Sequence, residues 1–113
     1  MRILVCGGRD YKDKDKVFST LQRVHEDRCI DSIVHGGCSG ADSIADDWAK
    51  INGIHRIQCP ANWEFYKGYA GPHRNKFMAT LGIQGAIAFT GGNGTRGMVS
   101  ILEGCEIKVM KVD

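Results

Sequence analysis

The chain has 113 residues, of which 42% are hydrophobic and 25% charged, and a formal net charge of +2. These are the size and make-up of one soluble globular domain, which excludes a disordered tail and a coiled coil. No apolar run approaches the ~18 residues needed to cross a bilayer, and the small charge provides no long basic stripe for a nucleic-acid backbone.

Along the chain, short apolar runs alternate with segments of helical period. Ile3-Leu4-Val5-Cys6 reads as a first strand that stops at Gly7-Gly8, and Val17, Leu21 and Val24 then form a helical stripe. Asp31-Ser32-Ile33-Val34-His35 reads as a second strand ending at Gly36-Gly37, followed by a stripe of Ala41, Ile44, Ala45, Trp48 and Ala49. A third strand, His55-Arg56-Ile57-Gln58-Cys59, ends at Pro60. Residues 60–76 are the least regular part and read as a loop carrying a short helical turn. Phe77, Met78 and Leu81 form a third stripe. Ala86-Ile87-Ala88-Phe89 reads as a fourth strand ending at Thr90-Gly91-Gly92, with Met98, Ile101, Leu102 and Cys105 as the stripe behind it. Ile107-Lys108-Val109-Met110 closes the chain. Such alternation implies parallel strands covered by helices on both faces. The expected fold is a single Rossmann-like three-layer α/β domain over residues 1–113, with a mainly parallel five-stranded sheet.

Five cysteines, at positions 6, 29, 38, 59 and 105, are odd in number and contain no Cys-x-x-Cys pair. That spacing argues against zinc and thioredoxin-like chemistry. It predicts reduced thiols, a cytoplasmic protein, no metal site and no cofactor. Cys38, in a glycine loop, reads first as a small residue fitting a tight turn and only second as a nucleophile.

Glycine is the unusual residue, with 15 in the chain, nearly twice the average share of ~7%. Nine of them (7, 8, 36, 37, 40, 91, 92, 94 and 97) follow the first, second and fourth strands. In an open parallel sheet these loops share the carboxyl edge, where ligands bind at a topological switch point. Glycine brings backbone N–H groups close to an anion, and each following helix adds its positive end. No Gly-Lys-Ser/Thr follows a doubled glycine, which excludes a Walker A loop. The first strand also lacks the dinucleotide fingerprint; Gly92-x-Gly94-x-x-Gly97 comes too late in the chain for its acidic partner.

Polar residues gather on the same edge. Arg9 and Asp10 follow the first doubled glycine, Ser39 and Asp42 the second, and Thr95 and Arg96 lie within the third. Arg9 and Arg96 suit bidentate phosphate contacts, and Thr95 is placed to donate its hydroxyl at a helix start. Asp42 fits two roles equally, capping the helix through Trp48 or accepting a ribose hydroxyl. Asp46 and Asp47 read as first-turn acids that complement the helix dipole. His35 is placed to face the site or the core, whereas His25 and His55 read as surface residues. Trp63, Phe65, Tyr66 and Tyr69 precede His73-Arg74-Asn75-Lys76. An aromatic surface beside a basic helix start can stack a base and grip a phosphate. For Trp63 and Tyr66 that reading balances simple coverage of the sheet, while Arg74 and Asn75 read as functional.

Gly7-Gly8-Arg9-Asp10-Tyr11, His35-Gly36-Gly37-Cys38-Ser39-Gly40-Ala41-Asp42, Gly71-Pro72-His73-Arg74-Asn75-Lys76 and Gly91-Gly92-Asn93-Gly94-Thr95 occur in a distinctive order. In this the chain resembles the SLOG superfamily, and within it the YspA-type branch of bacterial and phage proteins, over nearly its whole length. The resemblance implies a Rossmann-like fold that binds nucleotides or nucleotide-derived ligands, and a homo-oligomer. The superfamily includes the LOG phosphoribohydrolases and the DNA-processing protein DprA. LOG enzymes carry Pro-Gly-Gly-x-Gly-Thr-x-x-Glu, with an arginine in an earlier motif that Arg74 matches. Here Thr90 stands at the proline and Met98 at the glutamate. Methionine can neither exchange protons nor stabilise an oxocarbenium ion.

The leading expectation is therefore a binding protein, for sensing or sequestration, with a small nucleotide or ADP-ribose-like ligand as its partner. Gly7, Gly8, Gly36, Gly37, Gly91, Gly92, Gly94 and Thr95 would cradle phosphates. Arg9, Arg74 and Arg96 would pair with them, and Asp10, Cys38, Ser39, Asp42, Asn75 and Asn93 would complete the site. A phage or prophage protein that sequesters a nucleotide immune signal would fit this description. The alternative is a hydrolase of a nucleotide N-glycosidic or phosphate bond, with Asp10 or Asp42 as its acid–base group. A DprA-like single-strand DNA binder is the third reading, and the charge balance opposes it.

Overall fold

The computed structural model describes residues 1–113. Three strands form the middle of its sheet: β1 (Arg2–Cys6), β2 (Ser32–His35) and β4 (Gly85–Phe89). Their side chains are buried almost without interruption, as expected of parallel strands covered on both faces. The edges are β3 (His55–Gln58) and β5 (Val109–Val112), which are largely exposed and carry Arg56 and Lys111. Charged side chains on edge strands discourage further pairing. The strand order is β3-β2-β1-β4-β5. All four pairings are parallel, with Leu4 opposite both Val34 and Ala86.

Side-chain alternation along β1 divides the core in two. Ile3 and Val5 face α1 (Lys14–Asp27) and α2 (Ala41–Ile51), packing against Val17, Leu21, Ala45 and Trp48. Leu4 and Cys6 face the other side, meeting Met78 of α4 (Ala70–Met78) and Met98 and Leu102 of α5 (Asn93–Gly104). Asp13 caps α1 by accepting a hydrogen bond from the Lys16 N–H at 3.0 Å. In α2 the inward positions are Ala41, Ala45 and Ala49, which let the helix lie close on the sheet. Truncating the fully buried Leu4 to Ala would cost about 2–5 kcal/mol. No helix is long and apolar enough to cross a membrane.

Three local expectations are corrected. Residues 60–76 are mostly helical rather than a loop: α3 (Trp63–Tyr66), a 3-10 turn (Lys67–Tyr69) and then α4. Pro72 is the third residue of α4, where its missing N–H has no helical partner to lose. Because α4 turns Ala70, Asn75 and Met78 inward, Phe77 is exposed and the stripe expected of Phe77, Met78 and Leu81 keeps only Met78 fully buried. The last strand starts two residues later than expected, at Val109.

Candidate functional site

In the order β3-β2-β1-β4-β5 the chain returns across β1 to form β4, so the switch point lies between the carboxyl ends of β1 and β4. A cavity of about 290 Å³ opens there. The loops around it are tied to one another. The Gly8 N–H donates to the Thr90 carbonyl at 3.0 Å, and the Gly8 carbonyl accepts from the Ala41 N–H at 3.3 Å. Gly40 permits the second contact, because its φ is +79° and a Cβ there would collide with the Gly8 carbonyl.

The loop after β2 turns its donors inward. Asp42 Oδ2 accepts from the Gly36 N–H at 3.0 Å and the Cys38 N–H at 3.3 Å. Gly37 N–H donates to His35 Nδ1 at 3.0 Å. Asp42 therefore does not cap its own helix, whose N-cap is Gly40 with no side-chain cap; it pins the preceding loop. Burial raises its carboxyl above the ordinary value, against the pull of those two N–H groups and the nearby Arg74 cation. What this loop offers the cavity is a carboxylate.

Arg74 of α4 spans the cavity wall. Its Nη1 donates to the Gly36 carbonyl at 2.8 Å and the Cys59 carbonyl at 3.3 Å, and its Nε to Asn75 Oδ1 at 2.8 Å. A side chain at Gly36 would occupy the guanidinium's place. None of the chain's ion pairs involves Arg74, so its charge is held by neutral acceptors and Nη2 is left over.

The loop after β4 turns its donors outward. Gly92 is the N-cap of α5, with no side-chain cap and open space around its Cα. The first N–H groups of a helix have no intrahelical acceptor. The start of α5 lies at the cavity, which Gly92, Gly94 and Thr95 line. The positive end of a twelve-residue helix thus meets the guanidinium of Arg74 across the cavity. One guanidinium, the positive end of a helix dipole and a set of free donors around one hollow suit a phosphoryl group.

The floor is apolar, made by Val5, Met78 and Met98. Met98 is buried there and offers no proton to transfer. Burial, with the Asp42 charge, pushes the Cys6 thiol up to about 12, so it is no nucleophile at neutral pH. Gly7, Gly8, Arg9 and Cys38 complete the lining.

The structure thus brings together most of the residues expected at the site, but not all. Asp10 is exposed and stands outside this cavity. Gly37 and Ser39 line a separate polar hollow with Asp46 and Lys50; Ser39 Oγ donates to the Arg9 carbonyl at 3.2 Å. Gly91 packs against Gly8 and Thr95, and lines the far flank of α5 together with Arg96, Glu103 and Lys111. Arg96 bonds the side chain of Asn93, and neither residue lines the main cavity; Asn93 lines a neighbouring hollow with Trp63 and Gly97. Asp46 is not a first-turn acid: it lies mid-helix, 2.8 Å from His35 Nε2 and 3.0 Å from Arg56 Nη1. His35 is accordingly buried between Asp46 and the Gly37 N–H. Met78 was not foreseen at the cavity; its place in a core stripe gave no sign that the same side chain floors a hollow.

Comparison with known proteins identifies the family. Residues 1–66, which carry the first two glycine loops, match the family described as YspA, cpYpsA-related SLOG. The chain is 36% identical over 107 residues to the Gene 61 protein of Mycobacterium phage D29, covering 84% of this chain and 82% of the phage protein. No solved structure matches it. On the family match and the phage relative together, the chain belongs to the YspA, cpYpsA-related SLOG family.

Proposed function

We propose that the protein binds a nucleotide or ADP-ribose-like ligand through its phosphate at the switch-point cavity, and releases it unchanged. The observation that carries this reading is the pairing of Arg74, whose direct hydrogen bonds all go to neutral oxygens, with the uncapped start of α5 across one hollow. An anion bound there would gain charge-assisted hydrogen bonds from both sides. Met98, at the position where LOG enzymes carry their glutamate, removes the usual route to N-glycosidic cleavage. Kinship with a phage protein supports sequestration of a nucleotide signal as the biological use.

Asp42 favours a second reading, hydrolysis. It is a buried carboxyl, raised in pKa, on the cavity wall, and such groups serve as acid–base catalysts elsewhere. Calorimetric titration with AMP and ADP-ribose, followed by chromatography of the recovered ligand, separates the two. Binding with intact ligand is the expected result. Release of free base or ribose 5-phosphate, abolished in Asp42→Asn while binding persists, would replace binding by hydrolysis.

A further inference from the structure

The phosphate cavity continues into a second one of about 310 Å³ between α4 and α5, the two sharing Arg9, Arg74, Asn75 and Gly94. This volume lies at the lower end of the range for small-molecule pockets, ~300–1,000 Å³. One wall is the indole of Trp63, half exposed, whose ring edge lies 3.6 Å from where a Cβ on Gly71 would sit. The opposite wall is the α5 face bearing Gly94, Gly97 and Ile101, which share a side because they are three and four residues apart. A Cβ at Gly94 or Gly97 would meet nothing within 4 Å. Both glycines weaken a helix relative to alanine, and neither is required by backbone conformation or packing within the chain. The two glycines leave this face of α5 bare where it lines the cavity.

Asn75 supplies an independent pointer. It is 7% exposed; its Oδ1 accepts from Arg74 Nε, while its Nδ2 has no acceptor in the protein and stays open to solvent or a guest. The residue lines both cavities. A cavity walled by an indole and a bare helix face, with an amide donor where it joins an anion site, matches an aromatic heterocycle attached to a sugar phosphate.

Resting on the phosphate-binding reading above, we infer that the α4–α5 groove is a nucleobase subsite. The base lies between Trp63 and the Gly94–Gly97 face, and Asn75 Nδ2 donates to an acceptor on its edge. Stacking on an aromatic side chain is sequence-tolerant, so both purine and pyrimidine nucleotides should gain from it.

The test compares AMP and UMP with ribose 5-phosphate by calorimetry. The wild type should bind AMP about tenfold or more tightly than ribose 5-phosphate. In Trp63→Ala that ratio should fall to near one. Gly97→Leu, which fills the slot from an open helix position, should do the same without touching Trp63. Phe65→Ala, an exposed aromatic outside the groove, should keep the wild-type ratio. Circular dichroism checks that each variant folds. An AMP preference that survives both Trp63→Ala and Gly97→Leu would overturn the base subsite while leaving the phosphate site standing. Equal binding of AMP and ribose 5-phosphate by the wild type would overturn it in the same way. If no probe binds at millimolar concentration, the phosphate reading fails and the subsite falls with it.

Discussion

The loops after β2 and β4 carry the same doubled glycine on the same edge of the sheet, yet they present opposite chemistry. Around Gly36–Cys38 the N–H groups are consumed by Asp42 and His35. Around Gly92–Thr95 no side chain caps the helix, and its start lies at the cavity. The difference lies in the helix that each loop enters. Asp42 comes six residues after Gly36 and folds back onto it, whereas the corresponding stretch after Gly92 contains no carboxylate before Glu103. A glycine loop marks where an anion could bind; whether its donors are free depends on a neighbouring acceptor.

Removing the cation that faces the open loop should have the greatest effect on binding. Arg74→Ala should weaken AMP binding by roughly 30- to 150-fold, about 2–3 kcal/mol for lost charge-assisted hydrogen bonds. Arg74→Lys should recover only part of this, because an ammonium cannot replace the fork that reaches Gly36 and Cys59 together. Calorimetric titration measures both.

Gly92→Asp would make the open loop resemble the closed one. The Cβ enters empty space and the backbone there is extended, with φ −94° and ψ −148°. The new carboxylate should cap α5 and raise unfolding stability by about 0.5–1 kcal/mol. It should also weaken AMP binding more than tenfold by taking the same donors. A stabilised variant with unchanged affinity would show that the helix start is not where the anion sits.

Asp42→Asn sharpens the contrast from the other side. The amide oxygen can still accept from Gly36 and Cys38, while the negative charge beside the phosphate disappears, so AMP affinity should rise roughly three- to tenfold. Stability should change as well. Burial raises the Asp42 carboxyl in the folded protein, so the folded state keeps this proton to higher pH than the unfolded chain. The contribution of this group to stability therefore falls as pH climbs from the usual 3.8 to the raised value, and is flat above it. Urea titrations from pH 3 to 8 should show that fall in the wild type and lose it in Asp42→Asn.

The smallest effect on binding is expected at Asp46. Against burial, which pushes its carboxyl up, the hydrogen bond and charge of His35, joined by those of Arg56, hold it below the ordinary 3.8. A lowered carboxyl adds stability above its unfolded value and loses it as pH falls through the folded one. Asp46→Asn should cost about 1 kcal/mol at pH 7, and progressively less as pH falls from 3.8 through the lowered value, with AMP affinity changed less than twofold.

Much of this arrangement is legible in the residues. Continuous apolar runs at Leu4, Val34 and Ile87 announce buried parallel strands, and glycine clusters locate the binding edge. The segment around Pro72 reads as a loop because Gly68, Gly71 and Pro72 look like breakers, although proline suits the first turn of a helix. The start of β5 escapes the pattern because an exposed edge strand has little burial to set its register. Arg96 and Arg74 cannot be told apart by type or by proximity to glycine. The side of the helix each projects from decides it, and only Arg74 turns toward the hollow. Asp46 and His35 are eleven positions apart, and α2 lying over β2 is what joins them.

In the proposed complex, donors after β4, and not those after β2, receive the ligand's phosphate. A titration of the isotopically labelled protein with AMP, followed amide by amide by NMR, addresses it most directly. The account predicts the largest shifts at Gly92, Gly94 and Thr95 and at the Arg74 side chain, with Gly36, Gly37 and Cys38 changing little. Large shifts confined to Gly36–Cys38, with the start of α5 unmoved, would contradict it.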